Sequence, residues 1–436
     1  MNKQSVVIIG GGISGLIAAR GLSAAYHVTL LEAQPQFGGR ILTLNAEGFA
    51  APIEGGAEFV HGDAGETFRI LKEAGISTTK VEGELYRLQP NGLLEKEEGQ
   101  VEGWDLLMDR MKGITDDLTL QQLLNLHFGG EQFDLLRKQA ITFAEGFDLA
   151  DIHTVSVKSL YEEWSNQGED HRVDGGYGLL IDYLVKDCLR RGCMLLTDTV
   201  VKEINWQRGE VQVSTREAIV YPAELCLVTV PLGVLRSAAG PLSLNFSPPI
   251  TDYLAALDDI GFGTVIKVIL SFEERFWPED AAFFFSDEQI PTWWGQFPAD
   301  VPILTGWVGG PEGRALSVLS EAELLETALG SLAILFDKSA TELKDKLKTH
   351  QIFNWQQRPP AAGAYSFATT ASTPARLIEL NMPVEDTIYF AGEALYTGLH
   401  PGTVEAAVVN SLAVVKRISR LIRQHCYGTI TAQLYV

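Results

Sequence analysis

At 436 residues the chain exceeds what one hydrophobic core ordinarily supports, and its 46% hydrophobic content is that of a globular protein, so two domains are expected. A formal net charge of −22 argues against nucleic acid or an anionic membrane surface as a standing partner and favours cationic ligands. The four cysteines, Cys188, Cys193, Cys226 and Cys426, form no C-x-x-C pair and have no histidines at metal spacing, which points to a reducing compartment and to no metal site. Met1 passes almost directly into an apolar segment, leaving no room for a leader, and no apolar run reaches the ~20 residues of a membrane span. A cytoplasmic protein without a membrane anchor is expected.

The first element in chain order is an apolar strand at 5–9. It runs into Gly10, Gly12 and Gly15 in G-x-G-x-x-G spacing, then an Ala- and Leu-rich helix, then a second strand ending at Glu32. In such a βαβ unit the glycines let the backbone approach a pyrophosphate, the helix N-terminus offers unpaired N–H groups, and the acidic residue accepts ribose hydroxyls. The continuation FGGR adds a second glycine turn at Gly38 and Gly39, and Arg40 to neutralise a diphosphate, which favours FAD over NAD.

Farther along, 104–164 carries helical periodicity and reads as a helical insert. VDGGYGLLIDYLVKDCLRRG is a glycine turn entering a helix. Alternation broken at Arg208-Gly209 and at Glu217 predicts a hairpin or three-stranded meander, closing on a buried strand at 225–230. FGTVIKVILSFEERFW alternates like a sheet strand, which leaves Lys267 either among apolar neighbours or on the solvent face of an edge strand. FFFSDEQIPTWWGQF is rich in aromatics that would wall a pocket or fill a core. An amphipathic helical region follows at 321–347, and the chain closes with a short buried strand, a glycine loop and a long helix.

Taken together, GGGISG with FGGR, IEGGAEFVHG, VDGGYG, FGTVIKVILSFEERFW, and FNWQQRPPAAGAYSF followed by YFAGEALYTGLHPGTVEAAV resemble, in order, the blocks of the flavin-containing amine oxidase family. That family includes monoamine oxidases, polyamine oxidases and the catalytic part of flavin-dependent histone demethylases. The resemblance covers 6–415. It implies an α/β, two-domain FAD-dependent amine oxidase fold. A Rossmann-type FAD-binding domain (1–85, 172–235, 385–430) would interleave with a substrate domain of mixed sheet and helices (86–171, 236–384).

It also implies roles for individual residues. Gly56, Ala57 and Glu58 would lie beside the isoalloxazine, with Gly55 and Gly56 letting the backbone pass flat against the ring. Ser14 and Ala33 would join the glycines and Glu32 around the dinucleotide, and Val200 and Val201 would hold the adenine. Gly392 would give close approach, Glu393 would bond the ribityl chain, and the helix starting at Thr403 and Val404 would point its dipole at the pyrimidine end. Trp355 would pack beside the ring or simply in the core. Lys267 would hold a water against the reactive ring nitrogen. Tyr365 matches one of two aromatics that sandwich the substrate amine, while its counterpart is His400 rather than Tyr. Ala364 stands where covalently flavinylated monoamine oxidases carry Cys, so FAD is expected to bind without a covalent bond. His61 falls at the substrate entrance of related polyamine oxidases, or is a hydrogen-bonded structural residue.

The activity implied is oxidation of a small amine to an imine by hydride transfer to flavin, hydrolysis to an aldehyde, and reoxidation by dioxygen to hydrogen peroxide. FVHG and the lack of a membrane tail lean toward the polyamine oxidases. An L-amino acid oxidase would need an Arg clamp for the carboxylate. A desaturase-type flavoenzyme would leave Lys267 and GAYSF unexplained. A non-catalytic flavin redox sensor or scaffold is the reading from another class. Oligomeric state is not legible.

Overall fold

The computed structural model describes residues 3–97, 99–237, 240, 243–359 and 361–433. The opening segment folds as expected, with strand Gln4–Ile9, helix Ile13–Leu22 and strand Tyr26–Leu31 forming a parallel βαβ unit in register Val6↔Val28 and Ile8↔Leu30. These strands join a five-stranded sheet in the order Met194–Leu196, Tyr26–Leu31, Gln4–Ile9, Leu225–Val228, Ile388–Phe390, parallel throughout. Alternation along the strand decides which residue serves which layer. Val6 and Ile8 point into one core with the helices Ile13–Leu22, Gly178–Arg190 and Val404–Gln433, while Val7 and Ile9 point into another with the meander of Val201–Gln207, Glu210–Thr215 and Val220–Ala223. Burial on both faces is why the parallel strands read as continuous apolar runs. The meander gains a fourth strand, Asn245–Ser247, that the sequence did not suggest.

A second, seven-stranded mixed sheet is ordered Leu347–Asn354, Val265–Phe272, Ile303–Gly309, Thr292–Trp294, Ala281–Phe285, Glu84–Leu88, Leu94–Lys96. Here the expected half-polar strand is corrected. All eight residues of Val265–Phe272 are buried, and the strand lies between two antiparallel neighbours rather than at an edge. Ile266, Val268, Leu270 and Phe272 pack under the helix Glu321–Leu335, while Val265 and Ile269 face a separate core with Phe353 and Trp355. Lys267 therefore has no solvent face to occupy. The helical insert comprises Trp104–Lys112, Leu120–His127, Asp134–Gly146 and Val157–Ser165 around its own core, in which Trp104 stacks on Trp164 at 5.4 Å.

Cys188, Cys193 and Cys226 are buried and unbridged, and the side chain of Cys426 lies outside those described. Among the described residues no helix is long and apolar enough to cross a membrane, and no group of His, Cys, Asp and Glu could hold a metal ion.

Candidate active site

A cavity of about 1230 Å³ opens where the carboxyl ends of the parallel strands (Ile9, Leu31, Val228, Phe390) meet the inner face of the seven-stranded sheet. Ligands of open α/β sheets bind at such strand ends. The volume exceeds the roughly 300–1,000 Å³ of a drug-sized site and leaves room for a dinucleotide together with a substrate. One cavity gathers Gly10, Gly12, Ser14, Glu32, Ala33, Gly38, Gly39, Arg40, Gly56, Ala57, Glu58, His61, Val200, Val201, Lys267, Trp355, Tyr365, Gly392, Glu393, His400, Thr403 and Val404.

Gly15 is not among the lining residues. A Cβ there would overlap the Gly10 carbonyl oxygen, so its task is to let the helix sit against the strand. Gly12 is the opposite case, since a Cβ would find no heavy atom of the protein closer than 3.8 Å. Gly392, at φ +154, has nothing within 4 Å of its added Cβ position. These two glycines leave space that the fold itself does not fill, which is the cradle a closely approaching dinucleotide and ribityl chain require. The residues present therefore fit FAD.

Gly55 and Gly56 are tightly confined by the protein itself. A Cβ on Gly55 would enter the Phe353 ring, and one on Gly56 would strike the Arg40 carbonyl and press on Trp355. Protein packing by itself already demands their small size, and Gly56 lines the cavity as well. Trp355 is both a core residue and a cavity wall. It is buried, donates Nε1–H to the Gly55 carbonyl at 2.8 Å, and still lines the cavity.

Several polar groups are already committed within the protein. Glu32 accepts from Gly11 N–H at 2.6 Å and Gln34 N–H at 2.8 Å, and burial holds its carboxyl above the usual range. Arg40 donates Nη1 to the Ala364 carbonyl and to Glu393, both at 2.7 Å, so it meets any diphosphate partly neutralised. Glu393 also accepts from the Ser366 N–H and hydroxyl. Ser14 is bonded to Ser411 on the last helix. Thr403 Oγ1 accepts from Ala406 N–H at 3.1 Å and caps that helix. Thr229, which sequence reasoning missed, donates to the Ile9 and Gly10 carbonyls and fixes the glycine turn from the adjacent strand.

Lys267 is 1% exposed. Its Nζ donates to Glu58 Oε2 at 2.7 Å and to the Gly56 carbonyl at 3.2 Å, and lies 5.3 Å over the Trp294 ring. Glu58 Oε1 in turn accepts from Trp294 Nε1–H at 2.9 Å and from Arg172 Nε–H at 3.3 Å. Burial alone would push the Glu58 carboxyl up, but Lys267 and Arg172 outweigh it and hold it below the ordinary value. The buried ammonium is thus ion-paired with two of its three N–H donors committed, and Glu58 belongs to the Lys267 assembly as well as to the cavity wall. That pairing joins positions 209 residues apart, beyond the reach of any local pattern.

An aromatic wall runs from this ion pair. Phe59 lies 5.7 Å from Trp294, Trp294 6.0 Å from Trp307, and Trp307 is stacked on Tyr365 at 6.5 Å. Tyr365 Oη donates to the Phe147 carbonyl. The expected partner across the substrate, His400, is half-buried in a left-handed turn at φ 58. Its charged neighbours are His61, Asp63 and Asp170, and burial, the largest influence, lowers its pKa. His61 is bonded through Nδ1 to Asp170 at 2.8 Å, so it is a hydrogen-bonded residue as well as a cavity wall. The stacked aromatic partner of Tyr365 is Trp307.

Comparison with known proteins agrees with this geometry. The family model described as flavin containing amine oxidoreductase matches residues 13–419. Polyamine oxidase 4 of Oryza sativa subsp. japonica is 27% identical over 450 residues, covering 94% of this chain and 88% of that protein. Lysine-specific histone demethylase 2 of Homo sapiens is 27% identical over 458 residues, covering 96% of this chain but 54% of its own length. A solved putrescine oxidase bound to putrescine superposes with a TM-score of 0.80 at 21% identity, covering 96% of this chain and 99% of that one. Cyclohexylamine oxidase from Brevibacterium oxydans IH-35A superposes at 0.77 and 18% identity, with 96% and 100% covered. Glycine cradle, buried lysine and aromatic wall thus stand in a shared fold, and the chain belongs to the flavin-containing amine oxidoreductase family.

Proposed function

We infer that the protein is an FAD-dependent oxidase of small amines, with FAD held non-covalently and dioxygen as the electron acceptor. The observation that carries this reading is the continuity of one cavity from the Gly12 and Gly392 cradle to the Lys267–Glu58 pair and the Tyr365–Trp307 wall. When bound, FAD supplies the two-electron acceptor that takes a hydride equivalent from the carbon next to the amine nitrogen and passes the electrons to dioxygen, giving hydrogen peroxide. The chain's own residues orient and enclose. Tyr365 and Trp307 offer ring faces to the amine nitrogen, Lys267 presents N–H donors held in place by Glu58 for a water at the reaction centre, and the imine product hydrolyses to an aldehyde.

Relatives named polyamine oxidase and putrescine oxidase, matched over 88% and 99% of their length against 54% for the histone demethylase, support a polyamine or diamine substrate over a bulky peptide. Of the arginines at the cavity wall, Arg40 and Arg87 are paired with Glu393 and Glu97, while Arg358 lies over the Trp355 ring with no carboxylate partner among the described residues, so an L-amino acid oxidase is kept as the second reading. Residues 1–85, 172–235 and 385–430 are proposed as the FAD-binding domain, and the protein is proposed to act in the cytoplasm. The test is a panel of monoamines, diamines, polyamines and amino acids mixed anaerobically with the yellow protein and then assayed for peroxide in air. Bleaching of the flavin by amines, with stoichiometric peroxide on readmitting air, is expected. A flavin that no amine bleaches would leave the sensor or scaffold reading instead.

A further inference from the structure

Every other carboxylate built deep into the cavity wall is matched by a cation or by backbone donors. Glu58 has Lys267 and Arg172, Glu393 has Arg40, and Glu32 has two backbone N–H groups. Asp148 and Glu163 break that rule. Both line the cavity, yet neither has an ion-pair partner among the described residues. Asp148 is 5% exposed, and its Oδ2 accepts from Trp164 Nε1–H at 3.0 Å. Its Oδ1 is buried and receives no hydrogen bond from the described residues.

Two carboxyl groups so placed cannot both ionise, since each is taken out of water and each repels the other. Burial pushes Asp148 up to about 7, and Glu163 well above its ordinary value, so near neutrality the pair retains a proton. The shell around the pair is the kind that attracts an organic cation. Phe143 stacks on Phe147 at 5.3 Å and lies 5.1 Å from Trp164. Phe147, adjacent in sequence to Asp148, accepts a hydrogen bond from the Tyr365 hydroxyl through its carbonyl, which ties this pocket to the aromatic wall of the cavity.

We propose that the Asp148–Glu163 pair is the anchor for a second, distal ammonium of the substrate, so that the cavity selects diamines and polyamines over monoamines. This rests on the amine-oxidase reading of the same cavity. The ammonium takes the place of the retained proton. As it enters, the pair gives that proton to solvent, and two charge-assisted N–H···O bonds replace one O–H···O bond with no change of redox state. A monoamine lacks the second nitrogen and leaves the pair protonated.

The experiment is calorimetric titration of the FAD-loaded, anaerobic protein in buffers of different ionisation enthalpy, comparing 1,4-diaminobutane with butylamine, which differ by the distal nitrogen. The 1,3- and 1,5-diaminoalkanes and spermidine extend the series. At least one diamine or polyamine is expected to bind tenfold or more tighter than butylamine and to release more protons. Asp148→Asn, and independently Glu163→Gln at the more open position should the first variant fold poorly, are expected to shrink that gap to about twofold. Equal affinity for butylamine and every member of the series, or a gap that survives both substitutions, overturns the proposal. Flavin bleaching followed in the same samples tests the oxidase reading separately, because binding selectivity is read whether or not the amine is oxidised.

Discussion

Lys267 and His400 carry the residue-scale expectations that tertiary contacts most changed. A lysine among Val265, Ile266, Val268 and Ile269 reads as a cation with no structural purpose, but its bond to Glu58 gives it one. Lys267→Met is therefore expected to lose about 3 kcal/mol of stability in urea unfolding, the cost of leaving Glu58 buried with only Arg172. It should also slow one flavin half-reaction at least tenfold, equivalent to ~1.4 kcal/mol of barrier. Adding Glu58→Gln removes the orphaned charge and should recover most of the stability without the rate. Recovery of both in stopped-flow traces would reduce Lys267 to a structural ion. For His400, an imidazole with its ordinary pKa of about 6.5 would add an activity limb close to neutrality, beside the one set by the substrate amine. Burial instead lowers the His400 pKa, so its limb lies below 6.5, and the rise above neutrality belongs to the amine. In His400→Tyr the acid limb should vanish from a kcat/KM profile measured with an amine of known pKa, while the alkaline rise stays. Stability follows the same sign. As pH falls through 6.5 the unfolded chain takes up its proton before folded His400 does, so the wild type loses stability relative to His400→Tyr. Superimposable profiles would mean that His400 does not face the substrate.

At the scale of elements, the glycine turn after strand Gln4–Ile9 separates a ligand-facing role from a packing role within four residues. Gly12→Ala places a methyl in open cavity at an ordinary φ of −71, so the FAD-free protein should melt within about 2 °C of wild type while FAD affinity drops tenfold or more. Gly15→Ala drives a methyl into the Gly10 carbonyl and should lower the melting temperature of the FAD-free protein outright. Thermal scans of both proteins with and without FAD check this. Equal melting losses would show that both glycines serve packing alone. The same helix start was legible in the spacing, because the constraint is local. Burial of all eight residues of Val265–Phe272 was not, because it depends on the strands and helix that cover both faces.

For the whole molecule, the cavity is walled by the parallel sheet on one side and the seven-stranded sheet on the other, so a dinucleotide bound there would stabilise the packing of both. At a thousandfold excess over Kd that linkage is worth about 4 kcal/mol. Stripping FAD should lower the melting temperature by several degrees, and adding FAD should restore it. With Ala364 offering no nucleophile, acid precipitation should leave the yellow colour in the supernatant, and flavin in the pellet would contradict non-covalent binding. The amino-acid sequence by itself determined the βαβ unit, the meander, the long last helix and the family, because turns, capping positions and period-two or period-3.6 patterns are set by neighbours along the chain. Only the tertiary structure decided that Glu58 holds Lys267, that Gly55 and Gly56 are confined by Phe353, Arg40 and Trp355, that Trp307 stacks on Tyr365, and that Asp148 and Glu163 stand at the cavity wall without a cation among the described residues. Each of these joins residues that only folding brings together. Their energies come from desolvation and ring packing in a closed cavity, and neither exists until the two sheets have met.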